Sequence, residues 1–203
     1  MRLLAAFFCG LVARMKLRFW RYELKLAHEW TIAREWKPDG TGGTRAEEVV
    51  FVELTDRDGV TGFGEASPSA RYGETPDTVV GFLEKVDATS LSFRDVEGSM
   101  AYLDRVLDGH VAAKGALNIA LLDGAARLAR RPIFEYLGLG FTEGRHVTSF
   151  SIGIDTPDTV RQKVVQAAPY PVLKLKVGAP NDETNLAVLR EVAPTKPVRL
   201  DAN

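Results

Sequence analysis

Cysteine is nearly absent from this 203-residue chain. Cys9 stands alone, so neither an internal disulfide nor a cysteine metal cluster is available. Histidine is scarce too. His28, His110 and His146 lie far apart, without metal-ligand spacing, and each reads as a surface or loop residue. Charge of one sign is also lacking. The net value is −1, which gives no basis for a general role on nucleic acid or an anionic membrane. The apolar run Leu3 to Ala13 covers 11 residues, broken only by Gly10, and is too short to span a bilayer. Behind Arg2 it fits the apolar part of an export signal. However, Arg14 and Lys16 follow at once and no small-x-small cleavage site stands out. Residues 1–14 are therefore read as a mis-started extension, with Met15 as the true start, and are set aside from the fold. The expected location is cytoplasmic, with export as the alternative should residues 1–14 act as a signal. What remains is ordinary for a globular chain: 45% hydrophobic and 26% charged residues, enough for one large domain or two small ones.

Alternating apolar and charged residues from Lys16 to Ala27 predict a half-buried strand, with an irregularity near Trp20-Arg21. The Gly-rich stretch Lys37 to Thr44 reads as a mobile loop. Strands follow at Glu47 to Thr55 and Val60 to Ala66, joined by the turn Asp56-Arg57-Asp58-Gly59. Thr75-Pro76-Asp77 combines a helix cap, a first-turn proline and a first-turn acid. That helix runs to about Val86. Others cover roughly Phe93 to Leu107 and Val111 to Ala129, the last with an apolar face of Leu117, Leu121, Ala125 and Leu128. Asp123 within it reads as a cap or ion-pair partner at a domain junction. After a boundary near Glu143-Gly144 the grammar changes. Strands starting at Ser149, Val172 and Val198 are spaced by 23 and 26 residues, with helices between them. Such spacing means parallel strands, in a (β/α)8 barrel or an open doubly wound sheet.

Two strand ends carry candidate chemistry. In Leu173-Lys174-Leu175-Lys176-Val177 the lysines share one face and the aliphatics the other. Taken alone, this is an edge strand with its lysines in solvent. Parallel strands on both sequence sides argue against an edge. In a barrel the two lysines would point inward, desolvated and repelling each other, the conditions under which a lysine can act as a base. Asp201 stands at the same end of the next strand, and in barrels those C-terminal ends form the active site. Its carboxylate reads equally as a hard ligand for Mg2+ or as the N-cap of a following helix. Asn203 shares its face. A lysine base and a metal-binding carboxylate on neighbouring strand ends suit proton removal from a carbon beside a carboxylate. One carboxylate is too few for a divalent ion, so the chain reads as the front part of an enzyme.

Lys-x-Lys on one strand and Asp-Ala-Asn on the next, after an α+β front domain, resemble the muconate-lactonizing subgroup of the enolase superfamily. The Gly62-Phe63-Gly64-Glu65-Ala66 hairpin and the Ala116-to-Asp123 helix match that family as well, and the resemblance covers Met15 to Asn203. Within the subgroup the chain is most similar to dipeptide epimerases of the L-Ala-D/L-Glu type. The resemblance implies an α+β capping domain over 15–144 followed by the first three strands of a (β/α)8 TIM-type barrel over 145–203, incomplete in this chain. It implies Mg2+, with Asp201 as one ligand. Lys176 would remove the α-proton and Lys174 would place positive charge near the substrate carboxylate or enolate. Arg34, in His28-Glu29-Trp30-Thr31-Ile32-Ala33-Arg34, would meet the substrate. Ser151 stands where the family has a substrate-contacting threonine, and Asn203 would bind substrate or its surroundings. Tyr72, in the loop Ser69 to Glu74, would close over the pocket. Read without the family, Arg34 is equally a solvated loop charge and Tyr72 a packing residue.

The implied partners are a small-molecule dipeptide and, for the full-length form, further copies in a homo-oligomer; nucleic acid and membrane are excluded. The opposite-face lysine and two more metal-binding acids of the family are absent, so the 203 residues alone are expected to be inactive. Alternatives within the superfamily are o-succinylbenzoate synthase and muconate cycloisomerase. The alternative of another class is a non-catalytic truncated product with an open parallel edge. Nucleotide binding fails on placement. Gly59, Gly62 and Gly64 sit in an antiparallel hairpin, where no helix N-terminus is offered to a phosphate.

Overall fold

The structure is a computed structural model that describes residues 15–37 and 42–202. The apolar run with Cys9, the centre of the Gly-rich loop and Asn203 lie outside the described residues. Three strands, β1 (Lys16–Trp30), β2 (Thr44–Thr55) and β3 (Thr61–Ala66), form one sheet in that order. The β2–β3 hairpin is antiparallel, with Val52 opposite Gly64 and Leu54 opposite Gly62. Its turn closes as the Asp-x-Asp-Gly sequence anticipates. Asp56 Oδ1 accepts from the N–H groups of Asp58 and Val60, both at 2.9 Å, and Gly59 takes φ +82°. β1 runs three residues beyond Ala27, so His28 to Trp30 are strand rather than loop. It is unbroken at Trp20-Arg21, but its half-buried positions change from Leu17 and Phe19 to Leu24 and Leu26. The change falls where the chain passes between two compact units. One unit takes the strand up to Glu23 with Glu48–Gly140; the other takes Leu24–Glu47 with the chain from Phe141 onward.

In the first unit α3 (Val111–Leu128) packs on β3, and α1 (Pro76–Leu83), α2 (Val96–Val106) and the short α4 (Ile133–Tyr136) pack against α3. α1 starts on a reciprocal cap: Thr75 Oγ1 accepts from Thr78 N–H at 3.3 Å, and Thr78 Oγ1 from Thr75 N–H at 2.9 Å. At the head of α3 the buried Glu74 carboxylate accepts from Ala112 N–H at 3.1 Å, a favourable place for negative charge. Val50, Val52, Leu54, Phe82, Leu103, Leu117 and Leu121 are fully buried and form the core.

α3 lies directly on β3. A Cβ at Gly62 would overlap the Ala120 carbonyl oxygen, and one at Gly64 the Ala116 carbonyl oxygen. The glycines are there because backbone meets backbone, which also explains small residues at Ala116, Ala120 and Gly124. Asp123 fastens the same contact: its Oδ2 accepts from Phe63 N–H at 2.9 Å while its carboxylate pairs with Arg127 at 3.0 Å. It is an ion-pair partner within this unit, bonded to Phe63 and Arg127.

In the second unit, β4 (Ser149–Ile152), α5 (Pro157–Gln166), β5 (Val172–Lys176), α6 (Asp182–Val192) and β6 (Val198–Asp201) alternate. The strands are parallel in the order β4-β5-β6. Ile152, Leu173 and Leu175 bury one sheet face with Val160 and Val164 of α5 and Leu189 of α6. Arg161 on α5 grips Glu191 on α6 with two parallel bonds of 2.8 and 2.7 Å. The architecture is thus an α+β domain followed by the first strand–helix units of a barrel. Among the described residues no helix is long and apolar enough to cross a membrane.

Two outcomes follow from this packing. Gly64→Ala is expected to lower stability by about 3 kcal/mol through backbone overlap. Gly81→Ala, mid-helix in α1 with open space around it, should raise stability by about 0.5–1 kcal/mol. Urea denaturation of both variants checks the contrast; equal effects reject it. The second concerns Glu191, whose carboxyl is held below the ordinary glutamate range by the hydrogen bonds and charge of Arg161. Its contribution is complete above that ordinary range and is lost as pH falls through the lowered native value. An NMR titration should find Glu191 titrating low in the native chain and moving back up in Arg161→Gln.

Candidate active site

β5 alternates fully buried Leu173 and Leu175 with half-buried Lys174 and Lys176. A parallel pairing puts register partners on one face. Ser151 of β4 is opposite Lys174, and Lys176 is opposite Asp201 of β6. The side chains then meet. Asp201 Oδ2 lies 2.6 Å from Lys174 Nζ and 3.1 Å from Lys176 Nζ. Main chain locks the arrangement, because Val177 N–H donates to Asp201 O at 2.9 Å. Lys176 is the more enclosed lysine, with 13% of its side chain exposed against 35% for Lys174. The ammonium groups are therefore bridged by one carboxylate, so their mutual repulsion is offset by a shared anion.

Arg34 reaches the same end of the sheet through its backbone. It is exposed in a turn whose Glu35 and Trp36 N–H groups both donate to Ile32 O, at 2.9 and 3.0 Å. Three contacts seat this turn on the strand ends. Ile154 N–H, just past β4, donates to Thr31 O at 3.0 Å. A Cβ at Gly153 would press on Thr31 O and N at 3.1 and 3.2 Å. Gly178, two residues past Lys176, has φ +123° and lies so close to Ala33 that a side chain would overlap its methyl group. Arg34, Ser151, Lys174, Lys176 and Asp201 thus all belong to the second unit. Tyr72 does not. It sits in a 3-10 turn (Ala70–Tyr72) of the first unit, 72% exposed, with the Arg71 guanidinium 5.7 Å from its ring. Asn203 lies outside the described residues.

One part of the neighbourhood was not anticipated from the sequence. Lys163 of α5 is only 6% exposed, and its Nζ donates to Asp155 Oδ2 at 3.0 Å and to Glu29 O at 3.4 Å. The Asp155 carbonyl in turn accepts from the side-chain amides of Asn181 and Asn185, at 2.9 and 3.1 Å. The available signal was helical phase: Lys163 falls on the buried stripe of Val160, Val164 and Ala167 rather than on the solvent face. A cavity of about 270 Å³ adjoins this network, lined among others by Thr31, Trp36, Asp155, Thr156 and Asn181.

Chemically, two lysine side chains and a hydroxyl at one sheet end, with Arg34 on the turn seated beside it, suit a carboxylate-bearing ligand. For a metal the donor set is incomplete. Among the described residues no three His, Cys, Asp or Glu side chains come together. Asp201 offers one hard oxygen ligand already engaged by two cations, so the residues present do not by themselves fit a divalent ion.

Residues 30–138 match the family described as Mandelate racemase / muconate lactonizing enzyme, N-terminal domain. The L-Ala-D/L-amino acid epimerase of Pedosphaera parvula is 56% identical over 189 residues, covering 93% of this chain and 53% of that protein. The L-Ala-D/L-Glu epimerase of Bacteroides thetaiotaomicron is 38% identical over 199 residues, covering 96% and 49% respectively. Among solved structures, the dipeptide epimerase from Cytophaga hutchinsonii complexed with Mg and D-Ala-L-Val superposes with a TM-score of 0.79 at 27% identity. That match covers 95% of this chain and 52% of that one. The chain spans about half the length of the curated relatives it matches.

The shared carboxylate makes a testable demand. Asp201→Asn leaves two ammonium groups facing each other. It is expected to lower stability by about 1 kcal/mol at low salt, the exposure of Lys174 limiting the effect. Most of the loss should disappear at about 0.5 M NaCl, where exposed charges are screened. Urea curves at both salt levels decide; a loss that ignores salt removes the electrostatic account.

Proposed function

The chain belongs to the mandelate racemase / muconate lactonizing enzyme family, and we propose that it forms the front of an enzyme that epimerises dipeptides. The observation that carries this reading is the cluster of Lys174, Lys176 and Asp201 on one face at one end of parallel strands. In the reaction, Lys176 as a free amine takes the α-proton. The electrons of the C–H bond move into the adjoining carbonyl group and give an enolate. Before that step Lys176 must give up a proton to solvent and leave Asp201, since the ammonium ion held at 3.1 Å has no lone pair to offer. Lys174 stays charged and faces the developing negative oxygen, which is the electrostatic task in such a step. Arg34 and Ser151 bind and orient the dipeptide. Return of a proton to the other face inverts the carbon and needs an acid there. We assign that acid to the part of the relatives' length that this chain does not span.

Mg2+ is the proposed cofactor of the whole enzyme. Support comes from the relative that holds Mg with a dipeptide, with Asp201 as one ligand here. Its other ligands are assigned to the same unspanned part, and the 203 residues alone are expected to turn over no dipeptide.

The test joins this chain to the C-terminal half of the Pedosphaera parvula relative and supplies Mg2+. Incubated in D2O with L-Ala-L-Glu and a panel of other dipeptides, the assembly should exchange an α-proton for deuterium, read by proton NMR. Lys176→Ala should abolish exchange. Absence of exchange across the panel would reject the reading.

A further inference from the structure

Lys163 is buried, charged and unused by the chemistry above. Burying an ammonium group is costly unless it is paired, so its partners show what it holds. One is Asp155 on the β4–α5 connection, at 3.0 Å. The other is the carbonyl of Glu29, at 3.4 Å and 134 residues away in sequence. Glu29 is the penultimate residue of β1, and the Arg34 turn begins two residues later. Asp155 is itself fixed: its carbonyl takes two amide bonds from Asn181 and Asn185, and Asn185 is 1% exposed. Lys163 thus joins the foot of the Arg34 turn to a polar hub made by Asp155 before α5 and by Asn181 and Asn185 at the start of α6.

The remaining seats of the turn are main-chain contacts at Ile154 and close approaches at Gly153 and Gly178. They place Thr31 and Ala33, and a Cβ at Gly153 would also come within 3.5 Å of the Trp30 ring. At Glu29 the side chain is held by Arg45 of β2 at 2.7 Å, while Lys163 holds the main-chain carbonyl. We propose that Lys163 is a positioning residue that sets where Arg34 stands over the strand ends, and so how tightly the substrate is held. This rests on the reading of Arg34 as a substrate contact. Lys163 itself touches no reacting atom. Its loss should weaken binding and leave the proton-transfer step alone.

The experiment compares the full chain with Lys163→Met and Lys163→Arg by amide hydrogen exchange. Lys163→Met should speed exchange of the Glu35, Trp36 and Ile154 amides about tenfold, the scale of one lost charged hydrogen bond. The Val177 amide, bonded to Asp201 O, should not change, and Lys163→Arg should restore protection. Unchanged exchange at Glu35, Trp36 and Ile154 in a folded Lys163→Met chain overturns the proposal. So does loosening of Val177 to the same degree, which would mean general destabilisation. Should Lys163→Met fail to fold, Asp155→Asn removes the ion pair with little change of shape and carries the same test. In the deuterium-exchange assembly, Lys163→Met should raise KM about tenfold with kcat kept within about a factor of two. A fall in kcat at constant KM also overturns it. If the unsubstituted assembly is silent, the functional reading has failed, and the amide comparison alone decides the role of Lys163.

Discussion

One carboxylate oxygen shared by two ammonium groups requires two neighbouring strands held in register to the residue. Lys176 faces Asp201 only because Leu173 is paired with Val198 and Leu175 with Leu200. A slip of one position would turn both lysines into the apolar layer beneath. What prevents the slip is that layer itself. Ile152, Leu173, Leu175 and Leu189 are fully excluded from water, and turning ammonium groups into their place would cost several kcal/mol for each unpaired charge. The chemistry on one face of β5 is therefore held in place by hydrophobic burial on the other.

The same logic of a buried face fixing an exposed one runs through the first unit. There the constraint is backbone approach. Gly62 and Gly64 let α3 settle against β3 until carbonyls of Ala116 and Ala120 meet the strand. Asp123 then spends its carboxylate on the Phe63 amide and Arg127 rather than on any ligand. This is why an acid inside a helix packed on strand glycines carries structure here, while Asp201 at a strand end faces cations. The difference lies in what surrounds each carboxylate, not in its residue type.

Much of this organisation could be read from the chain before any coordinates. Period-two alternation with lysines on one face located β5 within one residue. Cap chemistry at Thr75 marked the start of α1 correctly. The extension of β1 to Trp30 was not legible, since Ala27-His28-Glu29 lacks alternation and is strand only by pairing with β2. Nor was the seat of Arg34. It depends on Gly153, Ile154 and Gly178, which lie over 100 residues away, and glycines with such different jobs look alike in sequence. Lys163 was passed over because a lysine on a helix is ordinarily a solvent-facing charge; only its phase with Val160 and Val164 set it apart.

These long-range seats also bear on how an active site of this kind divides its labour. The groups proposed for proton transfer stand on β5 and β6, whose side chains are positioned by a packed sheet. Arg34 stands on a turn whose own hydrogen bonds are local and whose placement is borrowed from β4, β5 and α5. A change in that turn can move the proposed substrate contact without disturbing the lysine pair, because among the described residues the β4–β5–β6 pairing does not pass through residues 31–36. Chemistry resting on rigid strands and recognition resting on a clamped turn can vary independently. On that argument, and within this chain, substitutions in the turn or its clamp alter the proposed substrate contact, while substitutions in the strands alter the proposed proton transfer.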